Sequence, residues 1–485
     1  MAQQRPYLFY DTAVSLCAEC LRRVEAKILI QDGQVWMHKW CPAHGPRKVL
    51  LATDADYYRQ ARERYLKPPE RPLRFQTPMR HGCPYDCGIC PDHMQHSCLS
   101  VVEVTDRCQL RCPICYAGSG PEREGYRPLA EVERMLDAVV ASEGRPDVVQ
   151  ISGGEPTLHP ELFAILDAAR ARPIRHLMLN TNGIRIAEEA GFAERLAAYQ
   201  PAFELYLQWD SLRPAALKAL RGADLSRPRR QALDHLNRVG LSTTLVVTVA
   251  RGVNDEELGE ICEFAAQQPC VRGVTFQPVQ AAGRLEGYDP QRQRLTLTEV
   301  RQRILGQTAL FTPADLIPVP CNPDALAMAY AVKGADGGLV PLTRHVPPEV
   351  LLHGTGNTIV FEHAPGLKER IFALFSTGQG PEGQASCLSD LLCCLPRVAA
   401  PASLTYKDVF RVLIMAFMGA EDFDLRAMKK SCVHFASPDG RLYPFEAYNL
   451  LYRNGCAGAG LLAERRAELD RLYAGAAADY PGVEE

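Results

Sequence analysis

The chain contains no run of apolar residues long enough to cross a bilayer, which takes roughly 18 or more. Its longest candidates, such as Val412 to Ala420, fall well short, so no transmembrane segment is expected. Net charge is scarce too, at −3 over 485 residues. That near-balance excludes the strongly basic field with which proteins hold nucleic acid or anionic lipid. The opening residues, MAQQRPYLFYDTAVSLCAEC, lack a basic stretch followed by an apolar core, so no signal peptide is read there. With 47% hydrophobic and 23% charged residues, the expectation is a soluble cytoplasmic protein. Its length predicts two to four domains.

Cysteine is what the sequence has in excess. There are 18, and ten of them fall within the first 115 residues, nearly all in tight clusters. A small secreted chain with this usage would be stapled by disulfides. In a long chain without an export signal, spacings of two or three read instead as metal or Fe–S ligands. Scattered residues such as Cys262 and Cys270 read as buried free thiols.

Four segments follow from the pattern. Residues 1–75 form a small module in which strand-like KILIQDG and QVWMHKW flank a turn between two cysteine knuckles. The stretch KPPERPLRFQTP reads as a linker into a second cysteine cluster, which occupies residues 76–100. From 101 to 307, strands alternate with helices. VVEVTD, DVVQIS, RHLMLNT, FELYLQW, STTLVVTV and GVTFQP are the strands, and helices are expected near 128–143, from Pro160, and near 187–199, 228–239, 255–267 and 298–306. Asn254 and Thr298 sit where helix caps belong. Six β–α units with little hairpin signal predict an α/β fold, a parallel sheet with helices outside and catalytic groups at the strands' carboxyl ends. Residues 308–485 are less regular and read as a C-terminal domain.

Cys108, Cys112 and Cys115 form a C-x3-C-x2-C set directly after the first of these strands. Three thiolates can hold three irons of a [4Fe–4S] cube and leave the fourth iron open to a ligand. The next strand ends in Gly153-Gly154-Glu155, where glycines permit a close backbone approach and the carboxylate offers an acceptor. Upstream, Cys83, Cys87 and Cys90 repeat the spacing, and Cys98 follows as a fourth thiol, a set suited to a fully ligated auxiliary [4Fe–4S] cluster. Nearby His81, His93 and His96 are weaker candidates. Cys17-x2-Cys20 and Cys41-x2-His44 make a Cys3His site for Zn or a rubredoxin-like iron. In the C-terminal segment, Cys321, Cys387, Cys393, Cys394, Cys432 and Cys456 could assemble a further cluster, with Cys321 and Cys432 the foremost candidates.

The triad in RCPICYA followed by SGGEP resembles the radical S-adenosylmethionine (SAM) superfamily. The resemblance implies a partial (β/α)6 barrel, a [4Fe–4S] cluster on Cys108, Cys112 and Cys115, and SAM bound near Gly153, Gly154 and Glu155. It also implies reductive cleavage of SAM to a 5′-deoxyadenosyl radical that takes a substrate hydrogen. Asn180, Thr181, Gln208, Asp210, Thr248 and Gln277, at later strand ends, are the remaining candidates for SAM or substrate contact. A one-electron donor such as flavodoxin or ferredoxin is implied as partner.

The order HGCPYDCGICP, RCPICYA, PVPCNP and CVHFASPDGRLYPFEAYNLLYR is similar to one branch of the superfamily. That branch contains the archaeal tetraether lipid synthases and a methylase of 6-hydroxymethyl-dihydropterin. Relatives tend to carry cysteine where this chain has Ser431 and Glu446. The branch implies methylation or C–C bond formation on a small molecule or lipid. A long apolar tunnel would mark a lipid substrate, a small polar pocket a pterin-like ring, and a wide cleft a peptide or other macromolecule. A non-catalytic electron-transfer protein is the alternative outside enzymes.

Overall fold

The computed structural model describes residues 5–333, 338–344, 408–456 and 458–474. Cys387, Cys393 and Cys394 lie outside the described residues. At the amino end, β1 (Leu8–Leu16), β2 (Arg23–Gln31), β3 (Gln34–Cys41) and β4 (Gly45–Ala52) form an antiparallel sheet in sequential order. Only the middle pair was legible as strands. A helix, α1 (Ala55–Glu63), follows with Asp54 as its N-cap and inserts Arg62 between Asp324 and Asp424, at 2.6 and 2.8 Å.

The centre is a row of six parallel strands: β5 (Leu99–Glu103), β7 (Val148–Ser152), β8 (His176–Thr181), β9 (Phe203–Gln208), β10 (Thr243–Val249) and β11 (Val271–Pro278). The short β6 (Ile114–Cys115) lies in the loop after β5. The strands are almost wholly buried, as expected of a parallel sheet covered on both faces. Helices α2 (Leu129–Glu143), α3 (Leu162–Arg170), α4 (Ile184–Glu188), α5 (Phe192–Ala197), α6 (Pro214–Arg221), α7 (Ser226–Val239) and α8 (Leu258–Gln267) alternate with them. Val132, Met135, Leu136 and Val139 are the buried stripe of α2, at the helical spacing that marked it in the sequence. The segment expected as one helix over 187–199 is two, separated at Gly191.

Both expected caps are corrected. The N-cap of α8 is Glu257. Asn254 instead donates to the Asp210 and Thr248 carbonyls, both at 2.8 Å, and so closes the loop after β10. Beyond β12 (Arg284–Leu285) and α9 (Pro290–Gln293), α10 (Leu297–Gln307) opens on Thr296 with a full capping box to Glu299. Thr298 bonds Thr53 of the N-terminal module.

The described C-terminal strands join the central sheet. After β13 (Ile317–Pro318), β14 (Leu326–Lys333) and β15 (Leu339–Pro341), strand β16 (Val409–Met415) pairs in parallel with β11. Strand β17 (Val433–Ala436) pairs in parallel with β5 and forms a hairpin with β18 (Leu442–Pro444). Both edges of the six-stranded row are therefore covered by late sequence. Two short helices, α11 (Leu425–Met428) and α12 (Phe445–Ala447), and the 16-residue α13 (Gly458–Tyr473) complete the described chain.

Candidate active site

The loop after β5 carries Cys108, Cys112 and Cys115 to the carboxyl ends of the strands. It is held there by backbone contacts that tolerate no side chain. Gly154 N–H donates to Thr105 O at 2.7 Å, and Glu155 N–H to Arg107 O at 2.9 Å. A Cβ on Gly154 would lie 2.3 Å from the Arg107 carbonyl oxygen, and one on Gly153 equally close to that of Thr105. The glycines thus let β7 press on the cysteine loop, rather than only on a ligand. Arg284 fastens the other side, donating to Cys112 O at 2.6 Å and Ser119 O at 2.5 Å. Gly154→Ala is expected to cost about 1–3 kcal/mol and to displace the loop. A fall of about a hundredfold in SAM cleavage, on the scale of a 1 Å misplacement, would be read by 5′-deoxyadenosine release.

One cavity of about 160 Å³ joins the predicted residues. Cys108, Cys112, Cys115, Gly153, Gly154, Glu155, Asn180, Thr181, Gln208, Thr248 and Gln277 all line it. Glu155 is 1% exposed. Its carboxylate already accepts four hydrogen bonds: from Thr157 N, Thr157 Oγ1, Thr181 Oγ1 and Asn182 N. A carboxylate has about four acceptor sites, so a ligand amine reaching Glu155 would share an oxygen the chain already uses. Asn180 donates to Ser152 Oγ at 3.1 Å. Burial pushes the Cys108 thiol up to about 12. Burial also raises Cys112, against the pull of Arg221.

Asp210 is not a free contact residue. It is fully buried, with a positive φ of +61° that Asp tolerates better than most residues carrying a side chain. Its Oδ1 accepts from Arg221 at 2.6 Å, Gln208 at 2.7 Å and Thr248 N–H at 3.0 Å, and its Oδ2 from Arg229 at 2.8 Å. Although burial opposes ionisation, Arg221 and Arg229 hold this carboxyl well below the usual range. Two guanidinium groups on one carboxylate leave an excess positive charge beside Cys112. Sequence reasoning missed both arginines. Their signal was a charge on an apolar stripe: Arg229 shares the helical period of Ala232, Leu233 and Leu236.

A second missed group lies behind the cavity wall at Tyr116. Arg453 pairs bidentately with Glu103, both contacts at 2.9 Å, within a cage of Tyr116, Phe435 and Tyr448 rings. Phe417 and Phe445 stack at 3.8 Å between ring centres on the same wall.

Two further groups of thiols come together among the described residues. Cys17, Cys20, Cys41 and His44 all lie within 4.8 Å of one another, with Cys20 Sγ to Cys41 Sγ at 3.8 Å and His44 Nδ1 3.4 Å from Cys17 Sγ. A tetrahedral ion held at about 2.3 Å by thiolates spaces its ligands by about 3.8 Å. The site therefore fits a single metal ion. Burial opposes ionisation of Cys41, but hydrogen bonds, chiefly from the Ala43 and His44 backbone and the His44 ring, lower it to about 6. Cys17→Ala is expected to lower the melting temperature of this module by several degrees while SAM cleavage persists, as read by calorimetry alongside 5′-deoxyadenosine assay.

Cys98 departs from the expected grouping. It does not join Cys83, Cys87 and Cys90; it lies with Cys321 and Cys432, the latter two 3.6 Å apart. The reason is topological. Cys98 and Cys432 precede strands β5 and β17, which pair in parallel, so both sit at the strands' amino ends. His96 Nε2 lies 3.6 Å from Cys98 Sγ. Among the described residues, the Cys456 thiol bonds the Leu450 carbonyl.

Comparison with known proteins places these features. The radical SAM superfamily pattern matches residues 102–265, and that of the HMPTM N-terminal zinc ribbon domain matches residues 9–53. The chain is 30% identical over 491 aligned positions to the 7,8-dihydro-6-hydroxymethylpterin dimethyltransferase of Methanocaldococcus jannaschii, covering 91% of this chain and 93% of that one. It is 27% identical to a GTP 3′,8-cyclase of Alkaliphilus metalliredigens over 50% of this chain and 73% of that protein. Among solved structures, Streptococcus suis SuiB bound to S-adenosylmethionine aligns at 19% identity and a TM-score of 0.36, over 43% of this chain and 47% of that one.

Proposed function

Since this chain belongs to the radical SAM superfamily, we propose that it uses that chemistry to methylate an unreactive C–H position of a small, pterin-like heterocycle. It is a radical SAM enzyme, and that class works with a [4Fe–4S] cluster, SAM and an external reductant. Bound at Cys108, Cys112 and Cys115, the cluster and SAM supply the electron and the carbon radical that breaks a C–H bond. The chain's own residues do the rest. Gly153, Gly154 and Arg284 fix the thiol loop. Asn180, Gln208 and Thr248 offer polar contacts at the strand ends, and the excess charge of Arg221 and Arg229 over Asp210 favours an anionic group beside Cys112.

The observation that carries the substrate class is the cavity wall. Gln150, Asn180, Gln208, Gln277 and Gln280 present amides, and Tyr206, Phe417 and Phe445 present rings. Amides both donate and accept, as the edge of a pterin does, and aromatic faces stack on a flat bicycle. A lipid chain asks for a long apolar channel and a peptide for a wide cleft, and this wall favours neither. The pterin dimethyltransferase relative supports the same choice.

Cys83, Cys87 and Cys90 are read as auxiliary cluster ligands, and the Cys3His site as a zinc site. The reductant is read as a flavodoxin or ferredoxin. Anaerobic incubation with SAM, dithionite and 6-hydroxymethyl-7,8-dihydropterin should give 5′-deoxyadenosine and methionine from one SAM and, with a second SAM as methyl donor and dithionite as electron source, S-adenosylhomocysteine and a pterin heavier by one or two methyl groups. 5′-Deoxyadenosine release that the pterin neither stimulates nor diverts into product would remove this substrate class.

A further inference from the structure

With Cys98 drawn to Cys321 and Cys432, the buried thiols Cys83, Cys87 and Cys90 have no fourth cysteine grouped with them among the described residues. The polar side chains around them are committed elsewhere. His81 bonds Asp86 through Nδ1 at 3.1 Å and Asp470 through Nε2 at 2.9 Å. Asp86 in turn caps the backbone N–H groups of Arg80, His81 and Gly82. His93 Nε2 lies 2.8 Å from the Ser431 carbonyl and 3.1 Å from His434 Nε2.

Glu446 is different. It is 1% exposed, its Oε2 accepts from Ser431 Oγ at 2.9 Å, and its Oε1 has no hydrogen-bond partner among the described residues. Its segment is bonded to the Cys83–Cys90 loop on both sides of it: Ile89 N–H donates to Leu442 O at 3.0 Å and Cys87 N–H to the Tyr452 hydroxyl at 2.8 Å, while Ala447 belongs to the apolar cluster of Cys83 and Cys87 and Phe445 to that of Cys98, Cys321 and Cys432. An ionised carboxylate in such surroundings is costly unless it is paired, bound to a metal or neutralised by a proton, and no described cation pairs with this one.

We propose that Glu446 is the fourth protein donor of the cluster held by Cys83, Cys87 and Cys90, with its unpartnered Oε1 as the ligating atom. The inference rests on the auxiliary-cluster reading of those three thiols. Coordination forms one Fe–O bond, and the carboxyl enters it deprotonated. Replacing a thiolate by a less electron-donating ligand raises a cluster's reduction potential, as histidine does in Rieske centres. The assignment therefore gives this cluster a higher midpoint than an all-cysteine counterpart would have. Ser431 positions the carboxylate through its hydrogen bond to Oε2.

The test uses the full-length protein, reconstituted anaerobically, with iron counts, EPR and redox titration. Cys87→Ala first identifies which iron and which signal belong to this site. Glu446→Cys should then lower that signal's midpoint while keeping the iron count. Glu446→Ala should, on mild oxidation, add a three-iron signal that Cys87→Ala removes. An unchanged midpoint in Glu446→Cys overturns the assignment, and does so alone if Glu446→Ala does not fold. If Cys87→Ala removes no iron, the auxiliary-cluster reading itself falls.

Discussion

Cys112→Ala is expected to abolish reductive SAM cleavage, with a loss on the order of 10⁴-fold or more, the scale seen when a group the whole mechanism depends on is deleted. Iron should fall by about four per chain, and the other thiol sites should keep their metal. The reason is geometric. Cys108, Cys112 and Cys115 are the thiols that share the strand-end cavity with Gly153, Gly154 and Glu155. The Cys98 trio sits at the opposite ends of the strands. Retained 5′-deoxyadenosine formation in this variant would mean that another cysteine set binds SAM.

Asp210→Asn should be the most damaging change outside the thiols. It leaves Arg221 and Arg229 buried with no counter-charge, and breaking such a pair costs about 3–5 kcal/mol. The same change frees Arg221 beside Cys112 and unlatches Gln208 and Thr248, so stability and SAM cleavage should fall together. The pH dependence has a definite sign. In the folded protein Asp210 titrates far below its unfolded value, which is about 4. Its contribution is therefore fully present above pH 4 and is lost as pH falls below it. Urea titrations at pH 7 and pH 3 should show the gap between parent and variant narrowing in acid. A gap that stays constant would mean the carboxylate is not what holds the arginines.

The parts of the fold carried by local pattern were readable in advance. Parallel strands buried on both faces appear as apolar runs, and α2 and α7 show their period directly. The thiol clusters were readable because a short spacing forces proximity. What sequence distance hides was missed. Cys98 is eight residues from Cys90, yet its partners are more than two hundred residues downstream, brought to it by the pairing of β17 with β5. The same edge pairing explains why residues 308–485 read as a separate domain: an added edge strand leaves no local trace of the sheet it joins. Arg221 and Arg229 were hidden by their type, since surface arginines are common on helices and only the buried Asp210 opposite makes these two exceptional. Glu155 was found by its motif, but two of its four internal hydrogen bonds come from Thr181 and Asn182, which belong to the next strand end.

The most direct test of the central claim is electron–nuclear double resonance on the reduced holoenzyme with SAM labelled at the methionine nitrogen and carboxylate. Hyperfine coupling of both labels to one cluster, lost in Cys112→Ala and kept in Cys87→Ala, is the predicted result. No coupling, or coupling that survives in Cys112→Ala, would contradict an iron left open by Cys108, Cys112 and Cys115 for SAM to occupy.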